Sequence, residues 1–238
     1  MSVEFVPAAH VRAVSQRIQE ARQRVLDARG VPPQNPDESY WQSLFEANAA
    51  EVLETIGSVR IAEGFAVRYR FYGQKGRDLL VRPFVARPGT DVETVRQLLD
   101  WHAPPDSAAS ALAAAPTQDV ELLYRHFSFS RTAIGYFEYW LAMQELWASS
   151  RWAHSHLIAS AEELSQITAS GEWQVPHPVE LYEPAVVLGE GHARLAVLVE
   201  CPLQRFEITL QQIDIREDQS LLYGEPVIVA QGPKGYVL

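Results

Sequence analysis

Glu138 and Glu145 stand seven residues apart in an aromatic-rich run, residues 130–164. On a helix that spacing places both carboxylates on one face, two turns apart. Paired carboxylates can do acid/base work or bind metal, and apolar surroundings raise a carboxyl pKa. Tyr136, Tyr139, Trp140 and Trp147 flank them. Together these residues could line a pocket for a small hydrophobic or anionic molecule, closed by a C-terminal sheet. The di-iron pattern of helix bundles, however, needs Glu-x-x-His on two helices, and no such tetrad occurs. The stripe Gly135, Glu138, Ala142, Glu145 and Ser149 also reads more simply, as the helix's wet edge or as a small-residue contact with a neighbour. That architectural reading outweighs the chemical one.

The second constellation is basic. Residues 57–87 carry Arg60, Arg68, Arg70, Lys75, Arg77, Arg82 and Arg87 against Glu63 and Asp78, a local +5 in a chain of formal net charge −10. Such segregation points to an anionic partner surface, or to the acidic remainder of the same chain. Phe65, Val67, Tyr69 and Phe71 alternate with Ala66, Arg68, Arg70 and Tyr72, the period of a half-buried strand. With Gly73–Gly76 as the turn, Tyr72 faces Arg77, Arg68 faces Val81 and Arg70 faces Leu79. Arg68, Arg70 and Arg77 then share one face with Tyr72 beside them, able to grip carboxylate or phosphate through forked hydrogen bonds. Pro83 sets the second strand at an edge or a bulge.

The remaining reactive residues carry less. His154 and His156 point about 200° apart on a helix, which excludes chelation of one ion there. Cys201, the single cysteine, lacks a readable base and reads as a packed thiol. The paired glycines all lie in turns, with no phosphate loop and no Gly-x-Ser-x-Gly elbow. No cofactor, metal site or catalytic signature emerges.

Helices and strands must position these groups. Val11, Val14, Ile18, Ala21, Val25 and Ala28 give a 3-4-3-4-3 seam that predicts a helix over 8–29, available for packing or for homo-oligomerisation, with Gly30 as its stop. Asn35 as cap, Pro36 and Glu38 predict a second helix to Gly57. The first helix carries net +3 and the second −5, so the two read as an antiparallel helical hairpin. A short helix over 91–101 leads into a Pro- and Ala-rich stretch, 102–116, where a division between a region 1–103 and a region 117–238 is placed. Residues 117–168 read as two helices broken near Ser128–Ser130. Pro184–Gly189, Ala193–Cys201, a strand from Phe206 to Ile215 and Ser220–Ala230 complete an antiparallel sheet of about four strands. The apolar parity switches at Gln211–Gln212, which predicts a bulge.

The fold class expected is α+β: an N-terminal helical hairpin and β-hairpin, a central aromatic-rich helix and a C-terminal antiparallel sheet. The N-terminus does not read as a secretory signal and no run is apolar enough to span a membrane, so a cytoplasmic protein is expected. The negative net charge disfavours nucleic acid. The leading expectation is a non-enzymatic interaction protein (adaptor, chaperone-like or inhibitor) that binds a protein partner's anionic surface through Arg68, Arg70, Arg77 and Tyr72. The alternative is the small-molecule protein or enzyme that uses Glu138 or Glu145.

Overall fold

The computed structural model of the chain describes residues 2–34, 36–72, 80–87, 89, 120–121, 123–148, 156–169, 173–175, 179, 182–201 and 205–234. Among them lie four α-helices and twelve β-strands, and the fold is α+β with a multi-stranded antiparallel sheet. The chain forms two compact units. One comprises Met1–Glu20, Phe129–Leu141 and Arg151–Leu238; the other comprises Ala21–Ser128 and Ala142–Ser150. The stretch 102–116, where a division was expected, and the helix expected over 91–101 lie outside the described residues.

Helix α1 (Ala8–Arg29) has the bounds that its seam predicts. Val11, Val14, Ile18, Ala21 and Val25 are all buried within the chain, so from Val11 to Val25 this seam is core, while Ala28 at its end is exposed. Gly30 follows with a φ of +70°, and its N–H donates to the Leu26 carbonyl. Helix α2 (Glu38–Ile56) is capped by Asp37 and not by Asn35. The Asp37 carboxylate accepts from the Tyr40 N–H at 2.9 Å, and that bond holds its pKa below the ordinary value. In the second unit α2 runs back antiparallel to α1. Arg24 meets Glu51 at 3.1 Å and Arg29 donates to Ser43 Oγ at 2.6 Å. The exposed ion pair contributes only about 0–1 kcal/mol, so apolar packing supplies most of the adhesion.

That second unit also holds a three-stranded sheet, β3 (Ala66–Tyr72), β4 (Leu80–Ala86) and β5 (Val120–Glu121), and a two-stranded one, β2 (Arg60–Ile61) with β6 (Phe127–Ser128). The β3–β4 register differs from the expected one. Tyr72 pairs with Leu80, Arg70 with Arg82 and Arg68 with Phe84. Every observed pair lies three residues farther along β4 than a turn at Gly73–Gly76 predicts, and residues 73–79 lie outside the described residues. β5 pairs with Val85 and Ala86, so among the described residues β4 is an edge at Pro83, where a missing N–H costs nothing.

Residues 117–128 are not helical where described. They supply β5, a 3-10 turn at Leu123–His126 and β6. Helix α3 (Ala133–Ala148) is shorter than the expected run to 164. It is followed by β7 (His156–Ile158), which pairs with β9, and by α4 (Ala161–Thr168). Short apolar runs such as His156–Ile158 fit helix or strand equally, and here a sheet partner decides. Ser160 restarts the helix by accepting the Glu163 N–H at 3.2 Å, while Glu163 reaches back to the Ala159 N–H at 2.7 Å.

The first unit is built on a seven-stranded sheet in the order β1 (Ser2–Phe5), β8 (Ala185–Leu188), β9 (Ala193–Cys201), β10 (Arg205–Ile215) and β11 (Leu221–Tyr223), with β7 beside β9 and β12 (Val227–Lys234) beside β10. β9 and β10 pair without a break from Glu207↔Cys201 to Ile215↔Ala193, so no bulge falls at Gln211–Gln212 on that side. The register shifts sit instead in the β10–β12 ladder, at Arg205/Glu207 and Ile208/Thr209. The parity switch has another cause. One face of the β9–β10 pair buries Ala193, Leu195, Val197 and Val199 with Ile213 and Ile215. The opposite face is covered only at its far end, where Leu198 and Ile208 pack with Ile158, Leu164, Val229 and Ala230. A strand clad on both faces at one end must change its apolar parity along its length.

Gln219, in the β10–β11 turn, has a φ of +68°, a conformation that disfavours any residue with a Cβ. Its carbonyl accepts the Tyr139 hydroxyl at 2.8 Å, which holds the turn in place. Gln219→Gly should therefore raise the unfolding free energy by about 0.5–1 kcal/mol in urea denaturation. An unchanged or lower midpoint would show that the turn carries no such strain.

Candidate functional site

The residues expected to line a pocket on α3 are mostly core. Tyr136, Tyr139 and Trp140 are buried, with Phe129 stacked on Tyr139 at a centroid distance of 4.3 Å and edge-on to Tyr136 at 5.3 Å. Only Trp147 lies exposed. The stripe of Gly135, Glu138 and Ala142 is buried rather than wet. At Gly135 a Cβ would come within 1.9 Å of the Ser130 carbonyl oxygen, so the close turn at the start of α3 requires glycine.

Each glutamate meets a basic residue of α1. In the first unit Glu138, only 4% exposed, has its Oε1 2.9 Å from His10 Nε2. His10 itself is partly exposed and stands edge-on to Phe137. In the second unit Arg22 ion-pairs with Glu145, and both side chains are largely buried. Burial pushes the Glu145 carboxyl above its ordinary pKa, and the Arg22 guanidinium pulls it partly back. The arrangement therefore gives each carboxylate its own partner on α1. Nothing in the spacing of the sequence signals that residue 10 meets residue 138.

The basic hairpin divides in two. At its root Arg68 Nε donates to Glu46 Oε1 of α2 at 2.5 Å, and both side chains are half-buried. Glu46 also accepts from Gln42, and Phe45 packs against Tyr69 with ring centroids 5.6 Å apart. The Tyr69 hydroxyl donates to the Leu146 carbonyl at 3.0 Å. Arg68 is thus part of the cement between α2 and β3. Farther out, Arg70 and Arg82 occupy directly opposed register positions, and Tyr72 ends the strand. Arg77 lies outside the described residues. Arg82, and not Leu79, is the cross-strand neighbour of Arg70, because β3 and β4 pair three residues off the expected register.

Other clusters are self-contained. A shallow cleft of about 400 Å³ in the first unit is lined by Glu190, His192, Arg194, Asp214, Arg216 and Glu217, with Ile215 and Leu222. There Arg194 grips Asp214 through two contacts of 2.7 and 3.4 Å, which raise the guanidinium pKa. Side chains of both signs line that cleft, and its Arg194 and Asp214 already pair with each other. Among the described residues no helix is long and apolar enough to cross a membrane, and no cluster of three or more His, Cys, Asp or Glu is placed to hold a metal ion. Compared with known protein families, curated proteins and solved structures, the chain matches none.

Proposed function

We propose that the protein is a non-enzymatic, cytoplasmic interaction protein that holds an anionic surface of a protein partner against the outer half of the β3–β4 hairpin. The observation that carries this reading is the register of Arg70 against Arg82. Like charges at directly opposed positions of a β-ladder repel one another unless an anion stands beside them. The root of the hairpin has its anion in Glu46, which already neutralises Arg68. Arg70 and Arg82, opposed in the ladder, are the residues that a partner's carboxylates or phosphates would meet. Arginine suits this task because its planar fork matches such groups at two points.

A labelled deca-glutamate peptide is a suitable probe, read by fluorescence anisotropy at low and at moderate salt. Binding that weakens as salt rises, and that falls at least tenfold in Arg70→Glu/Arg82→Glu, is the expected result. Equal affinity of the wild type and the double variant would overturn the assignment.

A second reading, acid/base chemistry on a small molecule, rests on the His10–Glu138 pair, which sets a buried carboxylate 2.9 Å from a partly exposed imidazole. Its substrate would have to approach at His10, since Tyr136, Tyr139 and Trp140 are closed in the core.

A further inference from the structure

We propose that the outer edge of β1 is a docking site for an extended partner segment with apolar residues at alternate positions and a basic residue between them. This inference is independent of the hairpin and concerns the first unit alone.

β1 ends the sheet, with β8 as its one strand neighbour among the described residues. All four of its residues are exposed, and Val3 and Phe5 are 56% and 49% accessible. The direction of its hydrogen bonds follows from the residue that succeeds it. The Val6 N–H donates to the Pro184 carbonyl at 2.8 Å, in the same antiparallel register that pairs Glu4 with Val186 and Ser2 with Leu188. Antiparallel ladders alternate bonded and non-bonded pairs, so Ser2, Glu4 and Val6 point their backbone groups inward. Val3 and Phe5 therefore aim theirs away from β8. The edge offers two N–H and two C=O groups, two residues apart, beside two exposed apolar side chains.

The opposite edge of the same sheet is interrupted, although β11 and β12 expose Leu222, Tyr223 and Val227. There Gly224, Glu225 and Pro226 interrupt the row between β11 and β12, and Gln174 pairs with Gln231 through two backbone bonds of 2.7 and 2.8 Å. Proline, charge and covering segments are the usual means by which proteins blunt an edge. Among the described residues β1 has none of them but Glu4.

Glu4 selects the occupant. A second copy of β1 that used all four backbone groups would pair Val3 with Phe5 of its partner in both directions, and would set Glu4 directly against Glu4, a repulsive pair. A segment with lysine or arginine at the central position turns that repulsion into attraction and keeps apolar residues beside Val3 and Phe5. The mode is strand addition, in which backbone bonds supply affinity and alternate side chains supply specificity.

The test is an amide NMR titration of the full chain with Ac-Thr-Val-Lys-Val-Thr-NH2. Two control peptides accompany it, one with Glu in place of Lys and one with both valine nitrogens methylated. The proposal expects shifts centred on Val3, Glu4 and Phe5, at least fivefold weaker binding of the Glu peptide, and loss of binding on methylation. Glu4→Lys should invert the preference between the Lys and Glu peptides. Absence of shifts at these amides, equal binding of the methylated peptide, or a sedimenting dimer that Phe5→Glu dissolves would each overturn it.

Discussion

Arg22→Leu should lower the unfolding free energy by about 3 kcal/mol at pH 8, and by clearly less at pH 4. Arg22 and Glu145 are only 15% and 14% exposed, so the substitution takes the Arg22 guanidinium away from a carboxylate that has little water. Removal of one partner from such a pair costs more than the pair itself contributes, because the remaining charge has lost its hydration. The pH dependence follows from the direction of the shift. Burial already places the Glu145 pKa above its ordinary value of 4.5, and Arg22 is the group that opposes this. Without Arg22 the folded pKa rises further. A group whose folded pKa is raised supplies stability below its unfolded value and loses it as pH climbs through the folded value. The variant's urea midpoint should therefore fall steadily as pH rises from 4.5, whereas Arg22→Leu/Glu145→Gln should remove most of that slope. An equal loss at both pH values would mean that Glu145 stays ionised throughout.

Trp140→Ala should cost about 3–5 kcal/mol, the range for an aromatic side chain cut from a packed interior. Trp140 is 2% exposed, and its indole Nε1 has no hydrogen-bond partner among the described residues. Trp140→Phe removes that unpaired donor and keeps most of the packing, so it should cost less than about 1.5 kcal/mol. A residue that lined an open ligand pocket would behave differently, with both variants near neutral in the free protein. Thermal unfolding of the two variants distinguishes core from pocket, and near-neutral effects for both would reinstate the pocket.

Local pattern was legible where a single element determines it. The seam from Val11 to Val25 and the stop at Gly30 place α1, and the apolar runs around the Gly189–His192 turn place β8 and β9. Features that depend on distant residues were not. β1 meets a partner 180 or more residues along the chain, and four exposed residues carry no periodicity to announce it. The parity switch in β10 was legible as a signal, but its cause was not, since a bulge and a change of clad face leave the same trace in sequence. At the candidate site the acidic α2 was visible as a rival for the hairpin's arginines. Which arginine it would take depended on the β3–β4 register and on how α2 packs, neither of which a single strand's pattern carries. Glu138 and Glu145 stood out correctly as unusual, yet their partners His10 and Arg22 could be found only in three dimensions.

The central claim is a division of labour along one hairpin, with Arg68 serving the fold and Arg70 with Arg82 serving the partner. Stability and deca-glutamate binding measured on the same samples of Arg68→Gln and of Arg70→Gln/Arg82→Gln test it most directly. The account predicts that Arg68→Gln lowers the urea midpoint by the equivalent of about 0.5–2 kcal/mol and leaves affinity within twofold. It predicts that Arg70→Gln/Arg82→Gln keeps or raises the midpoint and weakens binding at least tenfold. Loss of binding on Arg68→Gln, with none on the outer pair, would contradict it.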